Sequence, residues 1–110
     1  MNLKDYMREV RRTRPELNGL SQHRINSIMG VAGEAGELLD LIKKVEFQGH
    51  PYDHEKVIEE LGDILWYLVY FMDISSVSVD DIINYNVAKL RVRYPQGFSP
   101  QDSIKRVDTK

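Results

Sequence analysis

The sequence predicts an all-α protein, a small antiparallel bundle of about four helices completed by oligomerisation, and three observations carry that expectation. Apolar residues recur at steps of three and four through the middle of the chain. Capping residues, glycines and prolines punctuate those periodic stretches. No segment reads as a convincing strand.

The first helix is expected near Leu3–Thr13, polar and Arg-rich, and stopped by Pro15. The second runs from about Ser21 to Phe47 and ends before Gly49 in the loop "QGHPYD". Its apolar positions Ile25, Ile28, Ala32, Ala35, Leu39 and Ile42 form the seam of a packed helix. Asp53 is a good N-cap for the third helix, which reaches about Asp73 with Ile58, Leu61, Leu65, Leu68 and Met72 as its seam. The fourth opens at "SVDD", a capping box of Ser78 and Asp81, and closes at Tyr94 before Pro95 and Gly97. Beyond it lies a tail with at most one short helical turn. Short loops make consecutive helices antiparallel neighbours.

The run "ILWYLVYFM" (64–72) is apolar nearly all the way round its helix. Its nine residues fall short of the roughly 20 a membrane span requires. A chain of 110 residues has few elements with which to cover such a helix, so a homo-oligomer built on a dimer, a homodimer or homotetramer, is expected. The N-terminus lacks the apolar core of a signal peptide and the chain has no cysteine. A cytoplasmic setting fits both features.

Net charge is −2, but the charges are segregated. Residues 31–63 hold nine acids against three bases, residues 89–110 six bases against two acids. The sum does not suit a nucleic-acid binder. An acidic centre with basic flanks suits a metal ion beside an anionic ligand.

The chemistry concentrates in "GVAGEAGELLDLIKK" (30–44) and "EELGD" (59–63). Glu34 and Glu37 sit one turn apart on the second helix, Glu60 and Asp63 likewise on the third, each pair turned away from its seam. Two such helices side by side point four carboxylates into one space, which a hard divalent cation would neutralise. Without cysteine, and with no histidine on either stripe, zinc is disfavoured. His23, His50 and His54 read as surface or loop residues. Gly33, Gly36 and Gly62 interleave with the acids, as close approach of a ligand or of the neighbouring helix would require. On the fourth helix Asn86, Lys89 and Arg93 share one stripe, an amide and two cations of the kind a polyphosphate calls for. Trp66 is expected to pack rather than to stack a base.

"GVAGEAGELLDLIKK", "VIEELGDILWYL" and "NVAKLRVRYPQGFS" together resemble the MazG-like nucleotide pyrophosphohydrolases of the all-α NTP pyrophosphatase superfamily, over roughly residues 20–105. The expected organisation is an N-terminal helical extension at 1–19, which the resemblance does not cover, a MazG-like helical domain at 20–97 and a C-terminal tail at 98–110. It implies that Glu34, Glu37, Glu60 and Asp63 bind Mg²⁺, with Mn²⁺ as a substitute, and that Asn86, Lys89 and Arg93 contact the nucleotide. The implied reaction takes a nucleoside triphosphate to the monophosphate and pyrophosphate. Glu37 or Glu34 would position the attacking water, and Lys89 and Arg93 would offset charge on the phosphates. A dedicated dUTP, dCTP or phosphoribosyl-ATP pyrophosphatase, and a non-catalytic nucleotide-binding oligomer, stay open at this point. No nucleic-acid or membrane partner is expected.

Overall fold

The computed structural model describes residues 1–109, and among them it is helical throughout, with no strand. The helices are α1 (Leu3–Thr13), α2 (Leu20–Phe47), α3 (His54–Ile74), α4 (Val79–Arg93) and a short α5 (Pro100–Lys105). Four long helices lie where the periodicity and the caps put them, and the single helical turn expected in the tail is α5. None is long and apolar enough to cross a membrane. The chain divides into two compact units, Met1–Ser76 and Val77–Lys110.

In the first unit each helix end has a local cause. The Asn2 carboxamide oxygen accepts from the Asp5 amide at 2.9 Å and starts α1. Gly49, at φ 70°, takes the left-handed turn that lets the His50 amide reach back to the Lys44 carbonyl and end α2. The Asp53 carboxylate accepts from the Lys56 amide and starts α3. Along α2, His23 meets Tyr70, Gly30 meets Tyr67, and Glu34 meets Glu60 and Asp63. Rising numbers on one helix face falling numbers on the other, so α2 and α3 are antiparallel.

Those contacts correct one expectation. The face of α2 turned to α3 carries His23, Ser27, Gly30 and Glu34, not the apolar seam. Ser27 is fully buried, its hydroxyl donating to the His23 carbonyl at 2.8 Å. The seam residues Ile25 (55% exposed), Ile28, Leu39 (70% exposed), Ile58, Leu61, Leu65 and Leu68 stand open. Of the positions read as seam on α3, only Met72 is buried. The physical reason is that these helices have two faces to bury. Small and aromatic polar residues make the tight intrachain contact, and the regular apolar stripe is left outward.

Val10, Val69, Tyr70 and Met72 form the core, and Val10 belongs to α1. The Arg-rich helix is therefore not a free appendage. Arg11 donates to the Asp73 carboxylate at 2.6 Å and Arg14 at 3.0 Å. The Trp66 indole N–H donates to the Thr13 hydroxyl at 2.9 Å, while its ring meets Tyr67 and Tyr70 edge-on. Trp66 thus packs, as expected. The Arg11 hydrogen bond, aided by the charges of Arg11 and Arg14, holds the Asp73 carboxyl below the usual carboxylate range despite its burial. This anchor is at full strength above the ordinary carboxylate range and is lost as pH falls through Asp73's depressed value.

In the second unit Ser78 and Asp81 complete the capping box that opens α4. The Tyr94 amide closes it on Leu90 at 2.8 Å, and Pro95 prevents continuation. Ser99 caps α5, and Arg106, at φ 48°, turns the chain left-handed after it. The returning segment is fastened to α4 by an Arg93–Asp108 ion pair.

Candidate functional site

Glu34 and Gly30 are four residues apart and so lie on the same face of α2. At Gly30 there is no side chain, and the Tyr67 ring occupies the place where one would stand. The two helix axes are thereby drawn together one turn before the acids. Glu34, Glu60 and Asp63 each offer a carboxylate oxygen, and these oxygens all lie within 4.8 Å of one another.

Three of the four acids expected to share a site are thus brought together. Glu37 is exposed, one turn further along α2, and outside that cluster. Its charge is still felt there, being one of those acting on Glu60.

Glu60 is the centre of the arrangement. Partial burial pushes its carboxyl above the ordinary range, and the charges of Glu34, Asp63, Glu37 and Glu59 push it further. Among the described residues its Oε2 atom is buried with no hydrogen-bond partner. An unpaired carboxylate oxygen among like charges is costly to leave as it is, and a cation supplies what the protein does not. The donors are all oxygens, which suits a hard divalent ion such as Mg²⁺ or Mn²⁺.

A further residue, which spacing did not single out, stands beside the acids. Tyr6 on α1 is half-buried, and its phenol is pushed up by burial first and by the Asp63 charge second. Only the docking of α1 on α3 brings them together, and no motif in the sequence signals it.

The glycines divide. A Cβ on Gly30 would lie 2.2 Å from Tyr67 ring carbons, whereas one on Gly33, Gly36 or Gly62 would meet no atom within 4 Å. Of these four glycines, Gly30 is the one that sits at a close approach of the helices. The other three leave open space beside the acids.

Of the histidines, His23 is half-buried and hydrogen-bonds the Tyr70 hydroxyl, a packing role. His50 and His54 are exposed.

The polar stripe of α4 belongs to the second unit. Asn86 is exposed, and Lys89 and Arg93 are half-buried. Lys89 lines a 330 Å³ cavity with Tyr85, Val92 and Asp108. Arg93 is engaged by Asp108. Its guanidinium is held more firmly protonated, first by that hydrogen bond.

Residues 22–98 match the family model of the MazG nucleotide pyrophosphohydrolase domain. No curated protein and no solved structure gave a match.

Proposed function

The chain belongs to the MazG nucleotide pyrophosphohydrolase family, and on that premise we propose that it hydrolyses a nucleoside triphosphate to the monophosphate and pyrophosphate at the cluster of Glu34, Glu60 and Asp63. The observation that carries this reading is the unpartnered, buried Oε2 of Glu60 among two other carboxylates. A Mg²⁺ ion there, or Mn²⁺ in its place, would neutralise phosphate charge and lower the pKa of a bound water.

The chain's own residues have distinct parts in the reaction. Glu34, Glu60 and Asp63 would hold the cation. Glu37, exposed beside them, is free to accept a proton from water and to aim it at the α-phosphorus; Glu34 is the other candidate for that part. Asn86, Lys89 and Arg93 are assigned to the nucleotide by the resemblance, Lys89 and Arg93 offsetting charge as pyrophosphate leaves. A cytoplasmic setting goes with that reaction.

The working form is an oligomer, a dimer or tetramer of this chain. Supporting this are the outward apolar stripes of α2 and α3, where Ile25, Ile28, Leu39, Ile58, Leu61, Leu65 and Leu68 are all exposed. So many large apolar side chains on two neighbouring helices are rarely left to water. Sedimentation at micromolar concentration should find no substantial monomer; a stable monomer would contradict the oligomer.

Product analysis in ¹⁸O-water tests the reaction. Incubation with each common NTP and dNTP should yield monophosphate and pyrophosphate, with the label in the monophosphate. Label in pyrophosphate, or diphosphate with orthophosphate, would rule out attack at the α-phosphorus. The ranking across the panel names the base and sugar.

A further inference from the structure

Arg93 is the last residue of α4, and its partner Asp108 lies beyond α5, outside the residues that match the family. The pair is bidentate, Arg93 Nε and Nη2 donating to the two carboxylate oxygens, the second bond at 2.7 Å. Asp108's side chain is 2% exposed and Arg93's 15%. Such burial distinguishes it from a surface ion pair, which is weak and mobile. The side-on grip uses one edge of the guanidinium. Nη1, with two further donors, takes no part in that grip, and the guanidinium also lies against Tyr94, 5.8 Å from its ring centroid.

Asp108 also shares a cavity with the other cation of the stripe. It lines the 330 Å³ cavity with Lys89, one turn before Arg93, and Tyr85 and Val107 form apolar wall. Arg106 stands near enough for its charge to act on Asp108. Three cations against one carboxylate leave the neighbourhood positive, as an anionic ligand requires.

We propose that Asp108 is a positioning residue, which pins Arg93 edge-on so that Nη1 is presented to a phosphate oxygen of the substrate. This deepens the hydrolase reading and rests on its assignment of Arg93 to the nucleotide. An arginine side chain is long and flexible, and fixing it before substrate arrives removes an ordering cost from binding. The segment that delivers Asp108, through the Ser99 cap, α5 and the left-handed Arg106, is thereby part of the phosphate site.

The test is steady-state kinetics with wild type, Asp108→Asn and Asp108→Glu, alongside calorimetry with Mg²⁺ and inorganic pyrophosphate. Asp108→Asn should raise KM and the pyrophosphate Kd about tenfold, with a smaller change in kcat, as expected for one charge-assisted contact. Asp108→Glu should recover part of both. Unchanged pyrophosphate affinity in Asp108→Asn would overturn the proposal, and a gain in affinity would show instead that Asp108 competes with phosphate for Arg93.

If Asp108→Asn does not fold, the exchange Arg93→Asp with Asp108→Arg restores the pair with its charges reversed. Positioning predicts that the exchanged protein still binds pyrophosphate poorly. Recovery of wild-type affinity would reduce the pair to a tail anchor. Should wild type release no pyrophosphate from any triphosphate, the hydrolase reading fails, while the pyrophosphate affinities still decide the role of Asp108.

Discussion

Glu60→Gln should cost the enzyme about 10³-fold in turnover, the scale of losing several kcal/mol of transition-state stabilisation, while making the metal-free protein more stable. Both effects follow from the same atom. Ionised Glu60 is disfavoured by burial and by the charges of Glu34, Asp63, Glu37 and Glu59. Glutamine removes the repulsion and supplies N–H donors to carboxylates that lie within 4.8 Å.

The pH dependence has a definite sign. Glu60's folded-state pKa is raised, so in metal-free wild type its contribution to stability is fully present below the ordinary carboxylate range and is lost as pH climbs through the raised value. The variant should lack that loss. Mg²⁺ should raise the wild-type melting temperature and leave that of Glu60→Gln nearly unmoved. Thermal melts with and without Mg²⁺ across pH 4–8 check all three statements. A variant less stable than wild type in EDTA would mean that Glu60 is held by contacts of another kind.

Gly30→Ala should be the most damaging small substitution for stability. Its methyl would stand 2.2 Å from Tyr67 Cδ1 and Cε1 and 2.5 Å from Cγ, so the ring must move from its root rather than swing its tip. Tyr67 is itself wedged edge-on against Trp66. Overpacking of this kind costs about 2 kcal/mol, which lowers the melting temperature by about 10 °C in a domain of this size. Activity should fall as well, because the Gly30–Tyr67 contact sets the helix separation at which Glu34 reaches Glu60 and Asp63. Gly36→Ala is the control: a Cβ there meets nothing, and the better helix former should stabilise the free chain by about 0.5–1 kcal/mol. Equal melting temperatures for Gly30→Ala and wild type would contradict the packing described.

The helices were legible because their signals are local. Asp53, the Ser78–Asp81 box and the pairs Gly49–Pro51 and Pro95–Gly97 mark helix ends within a few residues of where they fall. The acid cluster was legible for a related reason: spacing within a helix fixes which residues share a face, and antiparallel neighbours bring two such faces together. Periodicity alone could not say what each face meets. Ile25, Ile28 and Leu39 form a regular stripe, yet the intrachain contact is made by His23, Ser27 and Gly30. An apolar stripe that faces outward reads the same in the sequence as one that faces the core. Tyr6 beside Asp63 and Asp108 on Arg93 join residues distant in sequence. Such pairings depend on how a chain returns upon itself, which neither composition nor spacing encodes.

The most direct test of the acid cluster as a catalytic metal site is pyrophosphate release from the NTP and dNTP panel, with Mg²⁺ and with EDTA, for wild type and Glu60→Gln. Release from at least one triphosphate that requires Mg²⁺ and vanishes in the variant is the expected result. No release from any substrate by folded, oligomeric wild-type protein, or release indifferent to EDTA and to Glu60, would contradict it.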